Sequence, residues 1–291
     1  MISRKTILVT GASGFLGSHI IQELLETTPH SIIALYRSYA HSSDEFYEGR
    51  LKSYSVSDYL KMNVVGIDTV INCAFPRTNS INELADALSF TEIMIEKWKQ
   101  DRVVSVINIS TQGVYQRLNA GNLSSENSPI APIDVYSLVK YSTELLFHNS
   151  SLPYVTNVRL SSLNMPQRFL SIFVSNVINE KPIVLTSPNN YTSLLDVTDA
   201  AKAIKQLIML PEEKRAETYN LGTGEQLSIL QYAEIVKTVG EECGYHPSII
   251  VENTNNSFAH SGMDCSNFSS DCHWKAEVTP RMMIEKLFAD K

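Results

Sequence analysis

The sequence predicts an α/β fold: a doubly wound parallel sheet followed by a smaller C-terminal region. Three observations carry that expectation. Short β-branched runs alternate with segments of helical periodicity, and a glycine-rich turn separates the first such run from the first helix. Residues 182–186 (PIVLT) then look like a short strand of a different element. The chain has 291 residues, of which 43% are hydrophobic and 19% charged, enough to bury a sizeable core with the composition of an ordinary globular protein.

Taken in order, Thr6–Thr10 (TILVT) is the first strand, and Phe15, Leu16, Ile20, Leu24 and Leu25 lie at helical spacing behind the turn. Ser31–Tyr36 (SIIALY), residues 69–74 (TVINCA) and residues 103–110 (VVSVINIS) repeat the strand signal, with helical patterns between several of them. Residues 155–160 continue the sheet, and Thr218–Leu221 (TYNL) is a short strand placed to rejoin it. Helical patterns recur at 199–210, 228–239 and 281–289, and the polar stretch 253–261 reads as a mobile loop. There is no internal repeat.

Charge and composition exclude several classes of function. The formal net charge is −7 and the Lys and Arg residues are scattered, whereas nucleic-acid binding needs a clustered cationic face. No apolar run reaches the roughly 18 residues that cross a bilayer, so no membrane role is expected. The four cysteines, at 73, 243, 265 and 272, sit in a chain whose first nine residues already read as a strand, without a charged and apolar leader. That pattern favours the reducing cytoplasm. His260, Cys265, Cys272 and His273 bring metal-binding atoms together in sequence, but without a CxxC pair, and no metal site is expected.

The segment Thr10-Gly-Ala-Ser-Gly-Phe-Leu-Gly17 places glycines at 11, 14 and 17 between the first strand and the first helix. In that context Gly11 permits the tight turn, Gly14 lets backbone approach a pyrophosphate, and Gly17 allows helix to pack closely on sheet. Free N–H groups at the helix start would face the phosphates. The reading is a Rossmann-type dinucleotide site with Gly11, Ser13, Gly14, Phe15, Leu16 and Gly17 as cofactor contacts. The expected division is a dinucleotide-binding domain over 1–160, rejoined by 190–222, with 161–189 and 223–291 forming a smaller substrate-binding region.

A second motif, Tyr136-Ser-Leu-Val-Lys140, puts two side chains on one helical face, one turn apart. A free tyrosine has a pKa near 10, too high for proton exchange at neutral pH, and a neighbouring ammonium favours the phenolate. Tyr136 and Lys140 are therefore candidates for proton chemistry, with Lys140 as the tuning charge.

The GxxGxxG spacing of TGASGFLG resembles the extended short-chain dehydrogenase/reductase superfamily, the NAD(P)-dependent epimerase/dehydratase family. Residues 109–115 (ISTQGVY) resemble its "SS/ST..VYG" segment, and residues 132–140 (PIDVYSLVK) its "P.s.Yg.sK" segment. The resemblance implies that Thr111 is the catalytic Ser/Thr, acting with Tyr136 and Lys140, the last two also touching the cofactor. It implies further cofactor contacts at Tyr36, Arg37, Ser55, Val56, Ala74 and Phe75, and substrate contacts at Thr111, Gln112 and Ser162. Where family members carry an acidic residue for the ribose hydroxyls of NAD, this chain has Tyr36-Arg37, so NADP(H) is favoured over NAD(H). An aspartate usual beside the adenine is replaced by Ser55, and Cys73 reads as a packed core residue.

Sugar-nucleotide 4,6-dehydratases of the family follow the catalytic threonine with Asp-Glu; this chain has Gln112-Gly113, which leaves epimerase or ketoreductase. Residues 159–166 (RLSSLNMP) resemble "R..nvyGp", with Ser162 in place of an asparagine and Met165 in place of a glycine. Thr192 stands where an arginine commonly grips a diphosphate. Residues 217–224 (ETYNLGTG) resemble "yNvGtG", and residues 263–274 the family's tail. The expected function is hydride transfer to or from a sugar carbon by a nucleotide-sugar 4-ketoreductase or epimerase. The alternatives are an NADPH-dependent reductase of a non-nucleotide carbonyl and a non-catalytic NADP-binding sensor. The resemblance also implies a homodimer, with which the apolar helix at 138–147 is compatible.

Overall fold

The computed structural model describes residues 4–38, 49–116, 122–166, 168–252 and 262–290. The stretch 253–261, read above as a loop, lies outside them together with His260. In chain order the first half comprises β1 (Thr6–Thr10), α1 (Phe15–Thr27), β2 (Ser31–Tyr36), β3 (Leu51–Ser55), α2 (Val56–Tyr59), β4 (Thr69–Asn72), α3 (Ile81–Gln100), β5 (Ser105–Thr111), α4 (Val135–His148) and β6 (Tyr154–Leu160). The second half comprises β7 (Ser162–Leu163), α5 (Phe169–Ile178), β8 (Ile183–Leu185), β9 (Tyr191–Thr192), β10 (Leu194–Leu195), α6 (Val197–Met209), β11 (Thr218–Leu221), β12 (Leu227–Ser228), α7 (Ile229–Glu242), β13 (Ile249–Val251), α8 (Ser266–Cys272) and α9 (Pro280–Ala289).

Seven strands form one parallel sheet in the order β11-β6-β5-β4-β1-β2-β3. The chain runs outward from β1 in one direction through β2 and β3, and in the other through β4, β5, β6 and β11, so the order reverses between β1 and β4. Loops leaving these two strands diverge and open a crevice at their C-terminal ends, where ligands of open α/β sheets bind. Strand β3 was not anticipated from the sequence. Its residues (LKSYS) are mostly polar because it is the sheet's outer edge, and only Leu51 is fully buried.

Alternate residues of the sheet feed two cores. Ile7, Val9, Ile71, Ile107 and Val158 face α1 and α6, while Leu8, Leu35, Val70 and Val106 face Trp98 of α3 and Phe147 of α4. Helix α6 packs on α1 because Val197, Ala200, Ala201, Ile204, Leu207 and Ile208 make one continuous apolar stripe. A third core joins α5, α7 and α9 to the separate parallel pair β8–β13, the element to which residues 182–186 contribute. The segment after residue 262 first returns to the main sheet: Phe268, Cys272 and Trp274 pack in the same core as Tyr219 of β11. Residues 277 and 278 are then pinned by their backbone N–H groups to the carboxylate of Asp199 on α6.

The α4-facing side of the sheet also carries a buried polar row. The Thr10 hydroxyl donates to Asn72 Oδ1 at 2.8 Å, Asn72 Nδ2 to Asn108 Oδ1 at 3.1 Å, and Asn108 Nδ2 to Asn157 Oδ1 at 2.9 Å. The row follows the register of β1, β4, β5 and β6. Each amide satisfies its neighbour, as buried polar groups must. Replacing Asn108 by Ala would leave a donor on Asn72 and an acceptor on Asn157 unpaired. We expect Asn108→Ala to lower the unfolding free energy by about 2–4 kcal/mol in urea titration, whereas substitution of exposed Lys52 on the edge strand should change it by less than about 0.5 kcal/mol.

Candidate active site

In a parallel sheet every C-terminal strand end lies on one edge, and the residues singled out from the sequence follow those ends. Gly11 follows β1, Arg37 follows β2, Ser55 and Val56 stand at the end of β3, and Ala74 and Phe75 follow β4. Thr111 ends β5, and Ser162 lies just past β6. Tyr36 and Arg37 are thus on the β2–β3 side of the crevice, and Thr111, Tyr136, Lys140 and Ser162 on the β5–β6 side.

The glycine turn is sterically determined. Gly11 has φ +67°, a left-handed conformation, and a Cβ there would meet backbone of Cys73 and Ala74 at 3.0 Å. A Cβ on Gly17 would lie 2.3 Å from the carbonyl oxygen of Gly11. Helix α1 can therefore approach the loop only with glycine at 17. Gly14 is its N-cap and offers no side chain to the first-turn N–H groups, and no acidic residue occupies that turn. An uncapped helix of 13 residues presents orphan donors and the positive end of its dipole to the crevice. Ser13 is exposed, Phe15 half-buried and Leu16 buried beside it. These features fit a bound pyrophosphate. Ala74 N–H donates to the Thr10 hydroxyl, so the asparagine row also fixes the loop after β4.

Across the crevice, α4 starts at Asp134, whose carboxylate accepts from Ser137 N–H at 2.7 Å. The short turn after β5 is drawn against it. Gly113 accepts from Ile133 N–H, and a Cβ on Gly113 would fall 2.2 Å from Ser137 Oγ. This close approach brings Thr111, half-buried with its hydroxyl capping Gly113 N–H, to the start of the helix that carries Tyr136. Gln112 Nε2 donates to Ser162 Oγ at 3.1 Å, while Gln112 Oε1 is buried without a partner. Phe75 packs edge-on to Tyr136, with ring centroids 5.6 Å apart.

The electrostatics differ in one respect from the sequence-based expectation. Lys140 is buried, its Nζ donates to the carbonyl oxygen of Ile109 at 2.6 Å and stands 4.2 Å from the Phe75 ring centre. Desolvation lowers its pKa to about 8, partly offset by Cys73 and Glu144. Burial raises the Tyr136 pKa above its ordinary value; the cation that opposes this is Arg77, while Asp134 reinforces it. Arg77, which the sequence did not mark, is held over the site by Met165 Sδ at 2.9 Å. Its guanidinium, rather than the Lys140 ammonium expected from the sequence, is the cation that bears on the phenol.

Two other groups escaped the sequence reading. Asp58 accepts from the Ser55 hydroxyl through Oδ2 at 2.6 Å, so a carboxylate stands beside position 55, which itself lacks one. Glu144, one turn beyond Lys140, is paired with Arg159 at 2.7 Å with both side chains buried. The signal for Glu144 was its i, i+4 spacing from Lys140. Cys73 is half-buried, and burial pushes its thiol up to about 12, which makes it unreactive at neutral pH. Arg37 is exposed, and Thr192 lies half-buried in β9, paired with β12. Among the described residues no group of His, Cys, Asp and Glu could hold a metal ion, and no helix is long and apolar enough to cross a membrane.

The model of the NAD dependent epimerase/dehydratase family matches residues 7–222. The low-salt glycan biosynthesis protein Agl12 of Haloferax volcanii is 26% identical over 80% of this chain and 82% of its own length. A dTDP-glucose 4,6-dehydratase of Streptomyces niveus is 27% identical over 80% of this chain and 77% of its own. Among solved structures, UDP-glucuronic acid 4-epimerase from Bacillus cereus, in complex with UDP-glucuronic acid and NAD, superposes with a TM-score of 0.79. That likeness covers 98% of both chains at 20% identity and is one of fold.

Because the Gly17 contact leaves no room for a methyl group, Gly17→Ala must push α1 away from the turn. We expect it to weaken NADH binding at least about tenfold and to cost about 1–3 kcal/mol of stability. Fluorescence titration and thermal unfolding would check both, and unchanged affinity would remove the turn from the cofactor site.

Proposed function

The chain belongs to the NAD dependent epimerase/dehydratase family, and from that membership we propose that it is an NAD(P)-dependent oxidoreductase acting on a sugar carbon, a nucleotide-sugar 4-ketoreductase or epimerase. One observation carries the reading: an uncapped, glycine-closed helix start faces Thr111, Tyr136 and Lys140 across the C-terminal edge of one parallel sheet. Gly11, Ser13, Gly14, Phe15, Leu16 and Gly17 hold the pyrophosphate. Tyr36, Arg37, Ser55 and Val56 take the adenosine end, and Ala74, Phe75, Tyr136 and Lys140 the nicotinamide end. The bound nicotinamide supplies or accepts the hydride.

Tyr136 moves the proton on the substrate oxygen, and Thr111 holds that oxygen in line. Burial keeps the Tyr136 phenol protonated at neutral pH, the form that donates to a carbonyl oxygen. Gln112 has no ionisable group and is tied to Ser162, so the position lacks the acid that elimination of water needs. Relatives named for UDP- and dTDP-sugars support a nucleotide-sugar substrate. A second reading, an NADPH-dependent reductase of a carbonyl without a nucleotide, draws on Thr192 and on the Ser162 hydroxyl already engaged by Gln112. Leu138 and Leu145 of α4 and Ile93 of α3 stay exposed, which supports a homodimer through these helices.

NAD(H) follows from the family; the reading that NADP(H) is preferred draws on Arg37, the exposed cation beyond β2 at a place where the sequence offers no carboxylate for the ribose. Arg37→Ala is expected to lower the ratio of NADPH to NADH efficiency about tenfold, and an unchanged ratio would return the chain to NAD(H). Tyr136→Phe is expected to cut turnover at least about 100-fold, assayed on whichever UDP- or dTDP-linked 4-ketohexose or hexose the wild type converts. Turnover within a few fold of wild type would refute the tyrosine assignment.

A further inference from the structure

Lys140 and Glu144 hold consecutive residues of β5. Lys140 Nζ donates to the carbonyl oxygen of Ile109 at 2.6 Å, and the Ser110 hydroxyl donates to Glu144 Oε1. Both side chains project from α4 one turn apart and are buried, so ammonium and carboxylate straddle a single peptide of the strand. Arg159, on β6 beside Ser110, fixes the carboxylate from the other side. Its Nη2 lies 2.7 Å from Glu144 Oε2, and its Nε lies 3.2 Å from each oxygen. The Arg159 guanidinium is itself immobilised by donating to the Tyr115 hydroxyl at 2.8 Å and to the Glu126 carbonyl oxygen at 3.2 Å. We propose that Glu144, held by Arg159, is a positioning residue for Lys140: it locks α4 in register with β5 and keeps a carboxylate one turn from the lysine ammonium where that group meets the cofactor.

The proposal rests on the reading of Lys140 given above and deepens it. The groups facing Lys140 are Cys73 just after β4, the Phe75 ring and Glu144 a turn later, with Arg159 beyond on β6. Desolvation pulls the Lys140 pKa down to about 8, and Cys73 and Glu144 oppose it. Burial pushes the Cys73 thiol up to about 12, so it is neutral over the range in which Lys140 titrates. The anion acting there is Glu144. Lys140 is charged below its pKa, so removing that carboxylate lowers the pH at which the ammonium is lost.

The test is NADPH affinity, with NADH alongside, measured by fluorescence from about pH 6.5 to 9.5. In the wild-type protein affinity should fall as pH rises through the Lys140 titration. In Glu144→Gln that limb should move to lower pH, with affinity at pH 8 about fivefold weaker, while Glu144→Asp keeps the wild-type limb. Glu144→Gln leaves a buried guanidinium unpaired; the double variant Glu144→Gln/Arg159→Gln removes both charges and should show the same direction if the single variant does not fold. A limb that stays in place in either of these variants overturns the proposal. Lys140→Met separates the two levels of argument: if it keeps wild-type affinity and the same limb, the reading of Lys140 itself fails. If it abolishes the limb while Glu144→Gln leaves it unmoved, only the role of Glu144 fails.

Discussion

The site depends on how α4 is attached to the sheet. Its inner face carries no ordinary apolar stripe over the C-terminal half of β5 and β6. Lys140 and Glu144 meet Ile109, Ser110 and Arg159 instead. A buried ion pair is an uncertain source of stability, because desolving two charges offsets most of their attraction. Its geometry is what matters here, since a bidentate guanidinium–carboxylate pair admits one orientation where apolar side chains would admit several. The position of Tyr136 follows from that anchorage, as does the approach of Thr111 through Gly113.

The same polar layer ties the β5–β6 wall of the crevice to β11. Asn220 on β11 accepts from the Tyr115 hydroxyl at 2.7 Å and donates to the carbonyl oxygens of Ser124 and Asp264. Its backbone N–H donates to Glu126 Oε1. Arg159, Tyr115 and Asn220 thus join α4 to Ser124 and Glu126 in mid-chain and to Asp264 in the late segment. This lets the late strand β11 brace the site although it bears none of the candidate residues, and it explains why residues beyond 262 come back to the main sheet before entering the smaller lobe.

Much of this was legible in the chain. The glycine turn announced itself because each glycine answers a separate steric demand, and the Tyr136–Lys140 pair because helical spacing is easily read. Strand β3 was hidden, since an edge strand with one polar face lacks the apolar run that marks its neighbours. Arg77 was hidden for a different reason: its effect on Tyr136 depends on Met165, 88 residues away, and no local pattern encodes that. The asparagines at 72, 108 and 157 were visible within the strand runs, but their meaning appears only when β4, β5 and β6 lie side by side.

That asparagine row bears on how the chain finds its fold. Strand alternation means that a slip of one residue turns every side chain to the opposite face of the sheet. For β4, β5 or β6, such a slip would thrust an amide into the packed hydrocarbon beneath α1 and α6 and leave its two neighbours without partners. Hydrophobic runs as uniform as VINI and TVIN specify their alignment only weakly. The three amides supply the missing discrimination, since only one mutual alignment of four strands lets all of them be satisfied together.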